Sequence, residues 1–99
     1  MATSVDLSGT VALVTGASRG LGRAIALALA EAGADLALAG RSAEDLERAA
    51  AEVAKHGVRA ETFRTDLREA QAIEGLVEGV IGAFGRIDAL VNNAAWSEA

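Results

Sequence analysis

The chain is 99 residues long, carries a net charge of −5 and contains no cysteine, which limits it to one small domain without disulfides or thiolate metal sites. A single His56 cannot form an imidazole cluster, and the basic residues are scattered singly, so we predict neither a metal site nor a nucleic-acid-binding face. The first basic residue is Arg19 and the longest purely apolar run is Ala24–Ala30, so we predict neither a signal peptide nor a membrane span and expect a cytoplasmic protein.

The first half of the chain alternates between strand and helix patterns. Residues 11–14 form a continuous apolar run, which is typical of a parallel strand buried on both faces. From Gly20 the apolar residues follow a helical period until Gly33 ends the helix. The apolar stripe of this helix consists of Leu21, Ala24, Ile25, Ala28, Leu29 and Ala32. Residues 36–39 are the next predicted strand, which ends at Gly40 and Arg41.

The second half repeats the alternation. Ser42, with Asp45 three residues later, resembles a capping box for a helix that Gly57 ends. Residues 58–65 are predicted to form a less buried strand, and residues 87–91 form the last one. Between them lies a third helix, closed by Gly85, whose apolar stripe is Ile73, Leu76, Val77, Val80, Ile81 and Phe84. Three glycines within it, Gly75, Gly79 and Gly82, indicate either close packing on the sheet or a weak, fraying helix.

This β-α-β-α-β-α-β order predicts an α/β fold with a doubly wound parallel sheet, because parallel neighbours need right-handed helical crossovers. We predict the strand order 3-2-1-4. The chain segments that follow the first and fourth strands then meet at the carboxyl edge of the sheet, where the strand order reverses.

A glycine-rich loop, T-G-A-S-R-G-L-G, occupies residues 15–22 between the first strand and the first helix. Gly16 allows a tight turn, Gly20 allows the backbone to approach a pyrophosphate, and Gly22 allows the helix to pack close to the strand. Backbone N–H groups at the helix start would face the anion. The alternative interpretation is a purely structural strand-to-helix turn.

A second motif, N-N-A-A at residues 92–95, follows the last predicted strand. Together with the glycine loop, the segment Asp6–Thr10 and the pair Asp66 and Leu67, it resembles the short-chain dehydrogenase/reductase family over residues 6–95. One position departs from the family pattern, because Ala95 stands where the family usually has glycine.

The resemblance implies a single Rossmann-type dinucleotide-binding domain over residues 1–99, with a sheet that is incomplete relative to the family's full sheet. It also implies hydride transfer between a nicotinamide and a small carbonyl or alcohol substrate. The complete enzyme is expected to be a homo-oligomer.

The family's catalytic Ser and Tyr-x-x-x-Lys have no counterpart here, because the chain has no Tyr, its only Lys is Lys55, and Ser97 follows the Asn pair too closely. We therefore predict no catalytic residue in this chain, which would be the inactive front portion of a longer enzyme. The alternative is a non-catalytic nucleotide-binding module or a truncated product.

The resemblance assigns the cofactor to twelve positions: Gly16, Ser18, Arg19, Gly20, Leu21, Gly22, Arg41, Asp66, Leu67, Asn92, Asn93 and Ala94. NAD enzymes place an acid at the end of the second strand, but Asp35 precedes that strand and Gly40 carries no acid. Arg41 and Arg19 could instead bind the 2′-phosphate of NADP, which we predict over NAD, although either arginine could simply be solvated.

Two further sites have alternative interpretations. The family's counterpart of Asp66 contacts the adenine amino group, but Asp66 could also be the N-cap of the third helix, and we expect both roles. Asn92 and Asn93 resemble the family segment that lines the adenosine and steadies the central strand, and the alternative is a simple turn after the strand.

Overall fold

The computed structural model describes residues 5–93 of the chain. The elements are β1 (Val11–Thr15), α1 (Gly20–Glu31), β2 (Asp35–Gly40), α2 (Ala43–Ala54), β3 (Ala60–Arg64), α3 (Ala70–Phe84) and β4 (Ala89–Asn92). The strands form one parallel sheet in the order β3-β2-β1-β4. The predicted fold class and strand order are therefore confirmed.

The core lies on both faces of β1 and β2, whose residues are almost all buried. On one face, Leu36 and Leu38 pack with Leu46 and Val53 of α2. On the other face β2 presents only Ala37 and Ala39, which lie in a cluster with the buried side chains of α3. Because leucine and alanine alternate along β2, the leucines point towards the layer formed by α1 and α2, and the alanines point towards α3. None of the helices between residues 5 and 93 is long and apolar enough to cross a membrane.

The buried face of α1 differs from the predicted stripe. Its buried residues are Gly22, Ala26 and Ala30, which are spaced four apart, whereas Leu21 is 67% exposed. Small residues on this face allow the helix to lie close to the sheet. The pattern of large apolar residues therefore predicted the helix correctly but not the side that it buries.

Helix α2 follows its predicted pattern. The Ser42 side chain accepts a hydrogen bond from the backbone N–H of Asp45 at 3.2 Å, as expected of an N-cap. Leu46, Ala49 and Val53 are buried. Gly57, with a φ of 82°, follows the helix end.

Helix α3 buries only part of its predicted stripe. Leu76 and Val80 are buried, but Ile73, Val77 and Ile81 are exposed. A Cβ on Gly79 would lie 3.3 Å from the Phe63 ring, so close packing against β3 explains this glycine. Nothing lies within 4 Å of such an atom on Gly75 or Gly82, where close packing gives no explanation.

Candidate functional site

The carboxyl edge of the sheet brings the two sequence motifs together. The glycine loop follows β1, Arg41 follows β2, Asp66 follows β3, and Asn93 follows β4, so the parallel strands deliver all four to one edge. The glycine loop is anchored to β2, since the Ala17 N–H donates to the Ala39 carbonyl at 3.1 Å.

The glycines of the loop have different structural roles. Gly16 and Gly20 have φ values of 63° and 62°, in the left-handed region that favours glycine. A Cβ on Gly22 would overlap the carbonyl oxygen of Gly16 and lie 2.7 Å from Nδ2 of Asn93. Among residues 5–93, a Cβ on Gly20 would meet nothing within 4 Å. Gly22 is thus required by packing within the protein, whereas Gly20 borders open space in which a ligand could lie.

The N-terminus of α1 is suited to an anion. Its N-cap residue, Arg19, makes no side-chain capping hydrogen bond, and the first turn contains no acidic residue. By contrast, α2 has the Ser42 cap and two acidic residues, Glu44 and Asp45, in its first turn. The first-turn N–H groups of α1 therefore lack a capping side chain and point towards the glycine loop, where the helix dipole favours negative charge.

Thr15 connects the glycine loop to the Asn motif, a role that the sequence analysis missed. Its hydroxyl accepts a hydrogen bond from the backbone N–H of Asn93 at 3.0 Å and lies 3.0 Å from Oδ1 of Asn92, to which it can donate. Nδ2 of Asn93 lies 3.5 Å from the Gly16 carbonyl oxygen, to which it donates. The sequence did offer a signal for this role, because Thr15 is a hydroxyl residue at the end of an otherwise apolar strand. Ala94, the remaining predicted residue of this motif, lies outside the described residues.

The prediction that Asp66 caps α3 is wrong. The N-cap of α3 is Glu69, and Asp66 lies in the turn before it. The Asp66 carboxylate accepts hydrogen bonds from the backbone N–H of Arg68 at 3.1 Å and from its guanidinium at 2.9 and 2.7 Å. These bonds, together with the nearby charges of Arg68 and Arg41, hold the pKa of Asp66 well below its usual range. Leu67 is partly buried against the α3 side of the core.

The arginines of the chain divide into two groups. Five of them form ion pairs with carboxylates: Arg23, Arg48, Arg59, Arg68 and Arg86. The other three, Arg19, Arg41 and Arg64, form no ion pair within residues 5–93, and all are exposed at or beside the carboxyl edge. No carboxylate of residues 5–93 therefore forms an ion pair with them, although the charge of Arg41 acts on Asp66.

The position of Asp35 agrees with the sequence prediction. It begins β2, at the opposite edge of the sheet, and its carboxylate accepts a hydrogen bond from the Arg59 N–H at 2.9 Å. At the carboxyl end of β2, Gly40 is buried beside Ser18 and carries no acid. Neither residue places a carboxylate where the 2′-hydroxyl of a ribose would need one.

The whole chain from Thr10 onward matches a known family, since residues 10–99 fit the short chain dehydrogenase family. The chain belongs to this family. An uncharacterized oxidoreductase of Mycobacterium tuberculosis is 44% identical over 87 residues, which cover 88% of this chain and 33% of that protein. This chain therefore spans about a third of the length of that relative.

Solved structures of similar proteins contain different bound cofactors. The L-sorbose reductase from Gluconobacter frateurii, complexed with NADPH and L-sorbose, has a TM-score of 0.91 and is 37% identical over 97% of this chain and 37% of its own. An NAD+-bound xylitol dehydrogenase has a TM-score of 0.87 and is 44% identical over 90% of this chain and 34% of its own. The fold of this chain is thus common to proteins with either dinucleotide.

Proposed function

We propose that this chain is the NADP(H)-binding part of a short-chain oxidoreductase that acts on a small carbonyl or alcohol substrate. The nicotinamide, when bound, supplies or accepts the hydride. The residues of this chain bind and orient the cofactor at the carboxyl edge of the sheet. The complete enzyme, as in many family members, would be a homo-oligomer.

The glycine loop and α1 would hold the pyrophosphate. Gly20 leaves open space beside the loop, and the first turn of α1 offers N–H groups with neither a capping side chain nor an acid nearby. Ser18 and Leu21 flank these groups at the start of the helix. The residues present therefore fit an anionic group at this position.

The turn after β3 and the Asn motif would hold the adenosine. Both oxygens of Asp66 are held by Arg68, which fixes the carboxylate as an acceptor for an adenine amino group. Leu67 would border the base, and Asn92, Asn93 and Ala94 would line the adenosine.

The single observation that supports NADP over NAD is the set of arginines that form no ion pair with a carboxylate of residues 5–93. Arg41 directly follows β2 and Arg19 lies in the glycine loop, so both would flank the adenosine ribose of a cofactor bound at this edge. Two guanidinium groups suit a 2′-phosphate, since charge-assisted hydrogen bonds contribute about 1.5–3 kcal/mol each.

We propose that catalysis needs residues that this chain does not contain. The chain has no Tyr to act as the family's acid. Lys55 is the C-cap of α2, at the end of that helix opposite to the carboxyl edge of the sheet. We expect the purified 99-residue chain to show no turnover of carbonyl or alcohol substrates above background. Turnover by this chain would contradict the proposed absence of catalytic residues.

Titration of the protein at its natural length with NADPH and NADH tests the cofactor assignment. We expect tighter binding of NADPH, and Arg41→Asp should remove or reverse the preference by about 1.5–3 kcal/mol, since it replaces an attraction with a repulsion. Equal affinities of the unmodified protein for the two cofactors would refute the proposed role of Arg41 and Arg19.

A further inference from the structure

We propose that Arg64, the last residue of β3, is a third residue that determines the preference for a 2′-phosphate. This inference rests on the proposed function, because it assigns a further cationic side chain to the same site. Arg64 is separated from Arg41 by 23 residues in sequence, and only the pairing of β2 with β3 brings the two together.

The end of β3 holds the chain where it leaves β2. Arg64 pairs in register with Gly40, and the N–H of Thr65 donates to the Gly40 carbonyl at 2.7 Å. Nε of Arg64 donates to the next carbonyl, that of Arg41, at 3.1 Å. Two successive carbonyl groups where the chain leaves β2, those of Gly40 and Arg41, therefore accept hydrogen bonds from two successive residues where the chain leaves β3.

The Arg64 side chain lies on the same face of the sheet as α2. Side chains alternate along a strand, and Phe63 packs with the α3 side of the core. Thr62, two residues before Arg64, donates its hydroxyl to Glu47 of α2 at 3.2 Å. The guanidinium of Arg64 thus lies beside the turn that joins β2 to α2, and this turn begins with Arg41.

The charge of Arg64 is not neutralised by the described part of the protein. Its Nε donates a hydrogen bond to the Arg41 carbonyl. Its two Nη groups have neither a hydrogen bond nor an ion pair within residues 5–93. Two cations beside one turn repel each other. A phosphate between them would relieve this repulsion and accept hydrogen bonds from both guanidinium groups. The hydrogen bond from Nε to the Arg41 carbonyl also orients the guanidinium of Arg64 before the ligand binds, which reduces the side-chain conformational entropy lost on binding.

The test compares Arg64→Gln with a matched variant, Arg59→Gln, at the residue that directly precedes β3. Arg59 is also exposed, but it is ion-paired with Glu61 and lies away from the carboxyl edge. The protein at its natural length is titrated with NADPH and NADH, and separately with adenosine 2′,5′-bisphosphate and 5′-AMP. The last two ligands report on the 2′-phosphate without any contribution from the nicotinamide or from turnover.

We expect Arg64→Gln to weaken binding of NADPH and the bisphosphate about tenfold, as for the loss of one charge-assisted hydrogen bond, and to leave NADH and 5′-AMP unchanged. Arg59→Gln should change none of the four affinities. If Arg64→Gln leaves all four affinities unchanged, or weakens all of them equally, the inference is wrong. If the unmodified protein itself shows no preference for the 2′-phosphate, the proposed function fails, and this inference fails with it.

Discussion

The hydroxyl of Thr15 lies 3.0 Å from the backbone nitrogen of Asn93 and accepts its hydrogen bond. Thr15 ends β1 and Asn93 directly follows β4, so this bond connects the glycine loop with the Asn motif across 78 residues of sequence. Because both segments lie at the proposed cofactor site, we expect their relative position to affect binding as well as stability.

Thr15→Val should therefore destabilise the fold by about 1–3 kcal/mol, because a side chain of similar shape replaces the acceptor of a partly buried N–H. Thr15→Ser keeps the hydroxyl and should lose much less. Urea unfolding of both variants measures the difference. Equal stability of the two would contradict the importance assigned to this hydrogen bond.

Gly20→Ala and Gly57→Ala form a matched pair for the role of the glycine loop. Both glycines have a positive φ, 62° and 82°, and a Cβ on either would meet nothing within 4 Å. Each substitution should cost about 1–2 kcal/mol of stability from backbone strain.

Only Gly20→Ala should also weaken binding of both NADPH and NADH, because its methyl group would occupy the space proposed for the pyrophosphate. Gly57 lies beyond the far end of α2 and serves as the control. A similar loss of affinity in both variants would show that strain, and not contact with the ligand, causes the effect.

Gly40→Asp should shift the preference from NADP towards NAD. A Cβ on Gly40 would lie 3.4 Å from Cδ2 of Leu46 and 3.5 Å from Oγ of Ser18, which are ordinary contacts, so a Cβ can be accommodated at this position. The new carboxylate would accept a hydrogen bond from a ribose 2′-hydroxyl and repel a 2′-phosphate. Gly40→Ala adds the contacts without the charge and should keep the NADPH preference. Titration of both variants with both cofactors provides the comparison, and an unchanged preference in Gly40→Asp would place the ribose elsewhere.

Asp88 should make stability depend on acid pH. Its carboxylate accepts a hydrogen bond from the Val11 N–H at 2.8 Å and pairs with Arg86 at 2.7 Å, and these partners lower its pKa from the usual 3.8. A lowered folded-state pKa means that the carboxylate stabilises the fold above pH 3.8, and that this contribution is lost as the pH falls through the folded-state value.

Asp88→Asn should therefore be less stable than the unmodified protein at neutral pH, and the difference should shrink as the pH falls below about 4. Urea unfolding at neutral pH and at several acid values measures this. A difference that stays constant over that range would indicate that the charge of Asp88 is not the cause.

The sequence alone determined the architecture. Apolar runs such as residues 11–14 and helical stripes set the order of the elements, and the pattern of dinucleotide-binding doubly wound sheets then predicted the observed strand order. The motifs were expected at the carboxyl edge because parallel strands all end at the same edge of a sheet. These features depend on short-range patterns and on topology, both of which a sequence displays directly.

Only the tertiary structure decided which side chains face one another. The stripe of α1 was misplaced because close approach to the sheet selects Gly22, Ala26 and Ala30 over the larger Leu21. The cap of α3 was misplaced because Arg68 holds Asp66 in the turn before the helix. The bond of Arg64 to the Arg41 carbonyl depends on strand pairing across 23 residues, and only the folded structure shows that no carboxylate within residues 5–93 pairs with Arg64. Packing distances and charge pairing are long-range properties, and they arise only when the folded chain brings distant residues into contact.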